Sequence, residues 1–504
     1  MTEPIVFPPG PSLATAFAAT AQRLPAKTAL VCGDERLSYA ALAQRVGGAA
    51  QALREAGVAP GERVLLFLDN GIEFAVLLHA VLAAGAVAVP VSPLVKAEKL
   101  GWLLADTEAR ALVSQPSLAA VVQAAPRASG CVLLDAATLA AREAPLALQP
   151  VADGDLAALI YTSGTTGFPK GVMLGHGNMR AAWRAVQAYL ELREDDVIGL
   201  ALPLAFSYGL YHVLMGLGLG ATVVIERNVA FPVRLLQRWQ DERVTVFPGV
   251  PTLFAALLAL DLGKFDLSAL RIATNAAAAL PVAHLQRLRA AWPGMRFFAM
   301  YGLTECKRAS FLAPEEADPR QGSVGRGLPF QRHWLVDDAG REVPPGGTGE
   351  LVVAGPHVMQ GYWRNPAATA EKLRPAPDGT PALFTGDLFR SDAQGYLFFV
   401  SRSDDIIKSR GEKVSPVEVE HAICHMPGVT DAAVVGVPDE RLGQAVHAYV
   451  TLAEGVQLGE REVIRHCLAT LESHLAPQRV FFVDELPVTD SGKVRRASLR
   501  KPQP

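Results

Sequence analysis

Three changes of texture along the chain predict an α/β fold. It comprises a large N-terminal body of parallel-rich sheets with packed helices, a β-rich subdomain, and a small α+β C-terminal domain. Up to about residue 300, apolar strand-like runs alternate with helical periodicity, the pattern of parallel sheets covered by helices. From about residue 320, Gly-rich turns separate short apolar runs, as in "HWLVDDAGREVPPGGTGELVVAG" and "GYLFFVSRSDD", which read as β-hairpins. After about residue 405 helical and strand patterns alternate again. A boundary is therefore expected near 402–405, dividing the chain into 1–402 and 403–504.

The elements follow in order. Leu42, Val46, Ala50 and Leu53 recur at helical spacing, and "GVAPGERVLLFLD" supplies a turn and a strand. A helix over 72–84 and a strand over 86–92 come next. Residues 157–161, "AALIY", read as a short buried strand that Gly164 and Gly167 cannot continue. "VIGLALPL", "YGLYHVLMGLGLG" and "ATVVIE" split the run 197–225 into strand and helix pieces. In "SPVEVEHAICHM", Ser415 is placed to cap a helix whose first residue is Pro416. "AAVVGV" and "VHAYVTL" read as strands, and 458–474 as a helix.

Length and composition exclude several classes. At 504 residues, two or more domains are expected. Half the residues are hydrophobic and 19% are charged, as in an ordinary globular protein. A net charge of −3 offers no broad basic surface, so nucleic acid is not expected as a partner. Five scattered cysteines with no CxxC pair fit free thiols in a reducing compartment. The N-terminus lacks the basic and apolar regions of a signal peptide, and a cytoplasmic location is expected. The uncharged runs 74–95 and 197–225 are long enough to span a bilayer, but Gly, Pro and His break both into α/β core pieces, and no membrane span is expected. His421, Cys424 and His425 crowd one helix too closely to converge on a metal.

Five stretches carry chemistry. "YTSGTTGFPKGVML" runs from a buried strand into six Ser, Thr and Gly residues and then Lys170. Such a loop exposes successive backbone N–H groups and hydroxyls, which can cradle phosphate. A flexible linker is the bland alternative, and the usual P-loop spacing is absent. "MYGLTECKR" places Tyr301, Thr304 and Glu305 about a glycine after an apolar strand. An aromatic face there can stack on a purine, and a carboxylate can hold Mg²⁺. In "LFTGDLFR", Asp387 can accept both hydroxyls of a ribose. "FVSRSDDIIKSRGEKVSPVEVE" puts Arg402, Asp404 and Gly411 at the expected boundary, and "LPVTDSGKVRR" sets Lys493 on a Gly-containing turn. Singly, these last four also read as a turn, a strand end, a charged linker and a basic tail. Together they have the parts for ATP chemistry.

These stretches, in this order, and "GELVVAGPHVMQGYWRNPAATAE" resemble the core motifs of the adenylate-forming (ANL) superfamily of acyl-CoA synthetases, peptide-synthetase adenylation domains and luciferases. The resemblance covers nearly the whole chain. It implies that Thr162, Ser163, Gly164, Thr165, Thr166, Gly167 and Lys170 embrace the β- and γ-phosphates of ATP. It implies that Tyr301 stacks on adenine, Thr304 meets the α-phosphate and Glu305 binds Mg²⁺. Asp387 then takes the ribose, Arg402 also reaches the nucleotide, and Lys493 bridges the attacking carboxylate and the α-phosphate. Asp404 matches a hinge about which a mobile C-terminal domain turns, bringing Gly411 to a pantetheine tunnel.

The implied function is an AMP-forming acid–CoA ligase, with ATP, Mg²⁺ and CoA. A free-standing enzyme that loads the phosphopantetheine of a separate carrier protein is the alternative, and a non-catalytic nucleotide-binding or membrane-associated protein the third class. Departures from the family pattern concern the acid. Phe206 stands where many members have His in "LPLAFSYGL", and Ala276-Ala277 replaces a usual Gly-Gly, so the added methyls could narrow the acyl pocket. No Asp occurs between Asp196 and Glu226 to pair with an α-ammonium, which favours an acid without an α-amine. Fatty, aryl and small branched acids all remain open.

Overall fold

The computed structural model describes residues 12–127, 130–162, 169–317, 320–402, 405–409, 412–439, 441–471, 473–489 and 494–500. It forms two compact units. The first comprises Met1–Asp318, Gly327–Arg332 and Val353–Leu383; the second comprises Pro319–Arg326, His333–Val352 and Phe384–Pro504.

The first unit is built on two sheets. In one, the strands Val132–Asp135, Ala111–Ser114, Arg63–Phe67, Val87–Val91 and Leu156–Thr162 lie side by side and parallel. Lys170–Gly175 and Gly361–Tyr362 then extend it antiparallel. Strands buried on both faces need apolar residues at every position, and Val64, Leu65, Leu66 and Phe67 are fully buried. In the other, Thr28–Cys32, Thr222–Ile225, Val197–Leu200, Val246–Gly249, Ile272–Asn275 and Arg296–Tyr301 are parallel, and Ser310–Leu312 returns antiparallel beside the last. Trp239, Phe247, Phe254 and Phe297 fill its core.

The long uncharged runs resolve as the sequence predicts. The first becomes a helix Ile72–Ala83 and a strand Val87–Val91, and the second a strand, the helix Ser207–Leu219 and a strand. Helices of 12 and 13 residues span about 18–20 Å, short of the ~30 Å of a bilayer core. The first is apolar all round because both its faces are covered, as for a core helix. Among the described residues no helix is long and apolar enough to cross a membrane.

The second unit holds most of the hairpin strands foreseen after residue 320, including residues 348–352 and 384–391 and the strand Leu397–Arg402. It also holds a five-stranded sheet in which Val429–Asp439 and Gly443–Leu452 pair antiparallel and Arg479–Phe482 lies parallel to the latter. The helix Pro416–Cys424 packs on this sheet, with Ser415 accepting from the Glu418 amide. The second helix is shorter than expected, Glu460–Thr470. It ends where Leu471 turns extended.

Candidate functional site

The strands on either side of the Ser/Thr/Gly stretch, Leu156–Thr162 and Lys170–Gly175, pair antiparallel. Thr162 stands directly opposite Lys170, so one cross-strand pair fixes both stems. Ser163, Gly164, Thr165, Thr166 and Gly167 lie outside the described residues. The Lys170 ammonium sits 5.4 Å from the centre of the Tyr362 ring, a cation–π contact. Tyr362 reaches it because Gly361–Tyr362 pairs with the hairpin's edge, Tyr362 opposite Val172. The same tyrosine donates its hydroxyl to Glu305 Oε1 at 2.8 Å. A second tie joins the backbones, where the Met359 amide donates to the Glu305 carbonyl at 2.7 Å. Segment 359–363 thus links the phosphate-loop hairpin to the proposed metal carboxylate.

Glu305 itself sits in a tight turn. Strand Arg296–Tyr301 ends, the chain turns through Gly302–Arg308, and Ser310 returns opposite Tyr301. The Cys306 amide donates to the Leu303 carbonyl at 3.1 Å, and the Ala309 amide to Tyr301 at 2.9 Å. A Cβ at position 302 would lie 2.4 Å from the Lys307 carbonyl oxygen, so only glycine closes this turn. Tyr301, Thr304 and Glu305 are all half-buried. A carboxylate steadied through one oxygen by a neutral hydroxyl suits a hard divalent cation, and the donor set fits Mg²⁺.

Two basic residues follow in the same turn. Lys307 and Arg308 are only 4% and 3% exposed. Lys307 Nζ donates to the Ser207 carbonyl at 3.0 Å and stands over the rings of Tyr208 and Tyr211. Burial, with Arg308 beside it, holds its ammonium well below the usual lysine range. Phe206 is the half-buried residue that begins the helix Ser207–Leu219, and its carbonyl accepts from Leu210. Tyr208 bonds the Thr274 hydroxyl at 2.6 Å, which ties this helix to the strand leading into Ala276 and Ala277. Ala276 is buried, while Ala277 is exposed at φ 77°. That left-handed backbone explains why glycine is usual there, and alanine costs on the order of 1 kcal/mol. His212 is buried and neutral: desolvation, then Lys307, depresses its pKa to about 3.

In the second unit, Asp387 stands opposite Arg402 on neighbouring strands, with Arg402 Nε 3.3 Å from Asp387 Oδ1. Gly386 adopts φ 76°, and its amide donates to Glu350 at 2.7 Å. The Asp387 amide donates to the Thr385 hydroxyl, which donates to the Leu351 carbonyl. The expected hinge Asp404, the tunnel residue Gly411 and Lys493 lie outside the described residues. Close to two of them in sequence, Asp405 pairs with Arg500 at 3.0 Å, and Arg496 holds Glu420 through two bonds.

The family described as AMP-binding enzyme matches residues 17–363, and the AMP-binding enzyme C-terminal domain matches residues 418–493. The chain belongs to the AMP-binding enzyme family. Feruloyl-CoA synthase from Amycolatopsis sp is 36% identical over 486 residues, covering 95% of this chain and 97% of that protein. Sulfoacetate–CoA ligase from Cupriavidus necator is 34% identical over 516 residues, covering 99% and 98%. The crystal structure of ATP-bound MatB from Rhodopseudomonas palustris superposes with a TM-score of 0.89 at 30% identity, covering 97% and 98%. The resemblance read from the motifs and the α/β fold class both hold for this AMP-binding enzyme.

Residue-by-residue reading missed three supports. Tyr362 lies within the 349–371 stretch, but its contact with Glu305 spans 57 residues and cannot be read from spacing. Glu350 and Thr385 position the Gly386–Asp387 backbone from a neighbouring strand and from the residue before. Lys307 and Arg308 were visible as two adjacent basic residues, but sequence alone does not reveal that they are buried.

Proposed function

We propose that this AMP-binding enzyme is an AMP-forming acid–CoA ligase. A carboxylate oxygen of the acid attacks the α-phosphorus of ATP, the bond to the β-phosphate oxygen breaks, and pyrophosphate leaves. The CoA sulfur then attacks the acyl carbonyl, the bond to the AMP oxygen breaks, and the thiol proton passes to solvent. The observation that carries this reading is the linked arrangement of Lys170, Tyr362 and Glu305, which sets a cation and a fixed carboxylate beside the phosphate-loop stems. Feruloyl-CoA synthase and sulfoacetate–CoA ligase, relatives along nearly the full chain, support CoA over a carrier protein as acceptor.

In this reading Ser163–Gly167 with Thr162 and Lys170 hold the triphosphate, Tyr301 the adenine, and Thr304 the α-phosphate. Asp387 and Arg402 serve the ribose end, and Lys493 stabilises the charge that builds as two anions meet. Glu305 would hold Mg²⁺, which would supply further neutralisation of the phosphate charge. Asp404 is the hinge between 1–402 and 403–504, and Gly411 lines the thiol tunnel after rotation. Phe206, Ala276 and Ala277 border the acid. The acid is a fatty or aromatic acid without an α-amine, since an unpaired ammonium is costly to bury. Asp196, the carboxylate flanking the uncharged run, is 2% exposed and committed to Arg271 at 2.5 Å and Thr245 at 2.7 Å.

A pyrophosphate-release screen over fatty, aromatic and amino acids, with and without CoA, tests this. Acid-dependent pyrophosphate release is expected, with acyl-CoA formed only when CoA is added. Release with an ordinary α-amino acid would overturn the substrate class, and no release with any acid would overturn the ligase reading.

A further inference from the structure

Lys307 and Arg308 pose a physical problem. A guanidinium is always charged, and charges are buried only when paired. Arg308 is 3% exposed, its Nε has no hydrogen-bond partner, and its Cζ lies 5.2 Å above the Tyr208 ring. Lys307, next to it, is satisfied by one carbonyl and two aromatic faces. Among the described residues no carboxylate lies within ion-pair distance of either. The nearby helix end makes matters worse, because the ammonium sits at the start of Ser207–Leu219, where the helix dipole disfavours positive charge. The carbonyl and rings offset part of the cost at Lys307, and Tyr189 and the Tyr208 ring part of it at Arg308, but among the described residues neither cation has a counter-ion and the Arg308 Nε stays unpartnered.

Their position gives the reason. They follow Thr304 and Glu305 directly in one turn, and they pack on the helix that Phe206 begins. Tyr208, lying against both, is bonded to Thr274 two residues before Ala276. The buried Oδ1 of Asn275, on the same strand, also lacks a partner. Two stretches assigned to the reacting groups and the acid, the 301–308 turn and the helix that Phe206 begins, therefore meet at this basic pair, and Tyr208 ties the strand before Ala276 to them.

We propose that Lys307 and Arg308 are specificity-determining residues that receive a second anionic group of the acid, so that the preferred substrates are dicarboxylic acids. The inference rests on the ligase reading and names its substrate class. One carboxylate is activated near Thr304 and Glu305, and the other supplies the missing counter-ion. An acid ending in a methyl or ester would leave both cations unpaired and lose charge-assisted bonds.

The test is the kcat/KM for pyrophosphate release with aliphatic diacids from succinate to suberate, isophthalate and terephthalate, each against its monomethyl ester. The wild-type enzyme should prefer its best diacid over the matching ester by about tenfold to a hundredfold, the scale of a hydrogen bond to a charged group. Arg308→Met and Lys307→Met should each erode that ratio, and Lys307→Arg should keep most of it. A wild-type ratio at or below one would overturn the inference, as would a folded Met variant that retains the full ratio. Both results would leave the ligase reading intact. Release with no member of either series, nor with simple fatty or aromatic acids, would overturn the ligase reading and the inference with it.

Discussion

Glu305 in the first unit accepts a hydrogen bond from a neutral hydroxyl, Tyr362, whereas Asp387 in the second lies 3.3 Å from a guanidinium, Arg402. Both are carboxylates assigned to the nucleotide, yet the partners suit them to different work. A hydroxyl orients a carboxylate without cancelling its charge, and among the described residues no cation lies within ion-pair distance of Glu305. That leaves a fixed negative charge for a divalent cation. Arg402 offsets the charge of Asp387 while leaving lone pairs to accept hydroxyl protons, which is what a ribose needs. On the proposed reading, the neighbour is what separates a metal ligand from a sugar ligand where the residue types nearly coincide.

The largest effect should come from removing the uncompensated charge. Glu305→Gln keeps the shape and the bond to Tyr362, and should lower kcat for adenylation on the order of a hundredfold or more. Raised Mg²⁺ should recover part of it. An unchanged rate at ordinary Mg²⁺ would show that the charge at 305 is not used. Asp387→Asn should act differently, raising the KM for ATP by about tenfold to a hundredfold with little change in Mg²⁺ dependence. If Asp387→Asn instead shifted the Mg²⁺ requirement, the division of labour between the two carboxylates would be wrong.

Tyr362→Phe removes only the orienting hydroxyl. A neutral hydrogen bond is worth about 0.5–1.5 kcal/mol, so a loss of about twofold to tenfold is expected. It should show as weaker apparent Mg²⁺ affinity at unchanged ATP affinity. A purely structural role for Tyr362 would lower thermal stability and leave the Mg²⁺ titration where it was.

The comparison also marks how far the sequence carried. The alternating body, the hairpins after residue 320 and the Ser415-capped helix were legible, because periodicity and capping are local. The site residues with motif spacing, Lys170, Glu305 and Asp387, were legible as candidates for the same reason. What was not legible is long-range. Tyr362 meets Glu305 only when its two-residue strand adds to the hairpin edge. The burial of Arg308 depends on a helix about a hundred residues earlier. The conformation of Ala277 follows from its backbone, which a family's usual glycine hinted at without fixing φ.

Glu226 gives the smallest and cleanest extension of the comparison, since it is a third carboxylate with a weaker partner. Arg238 Nε stands 3.9 Å away, and Oε1 is buried without a hydrogen bond. Burial outweighs the attraction of Arg238, Glu242 adds repulsion, and the pKa is pushed up to about 7. An unfolded glutamate ionises near 4.3. Between those values the folded protein holds a proton that the unfolded chain has released, so stability falls as pH rises through this window and levels off above it. Glu226→Gln removes the titration while keeping the size. The variant should gain little or nothing in unfolding temperature at about pH 5 and gain measurably at about pH 8. A loss at pH 8 would mean that Arg238 holds the ionised carboxylate well enough at 3.9 Å to offset its burial, and that Glu226 belongs with Asp387 after all.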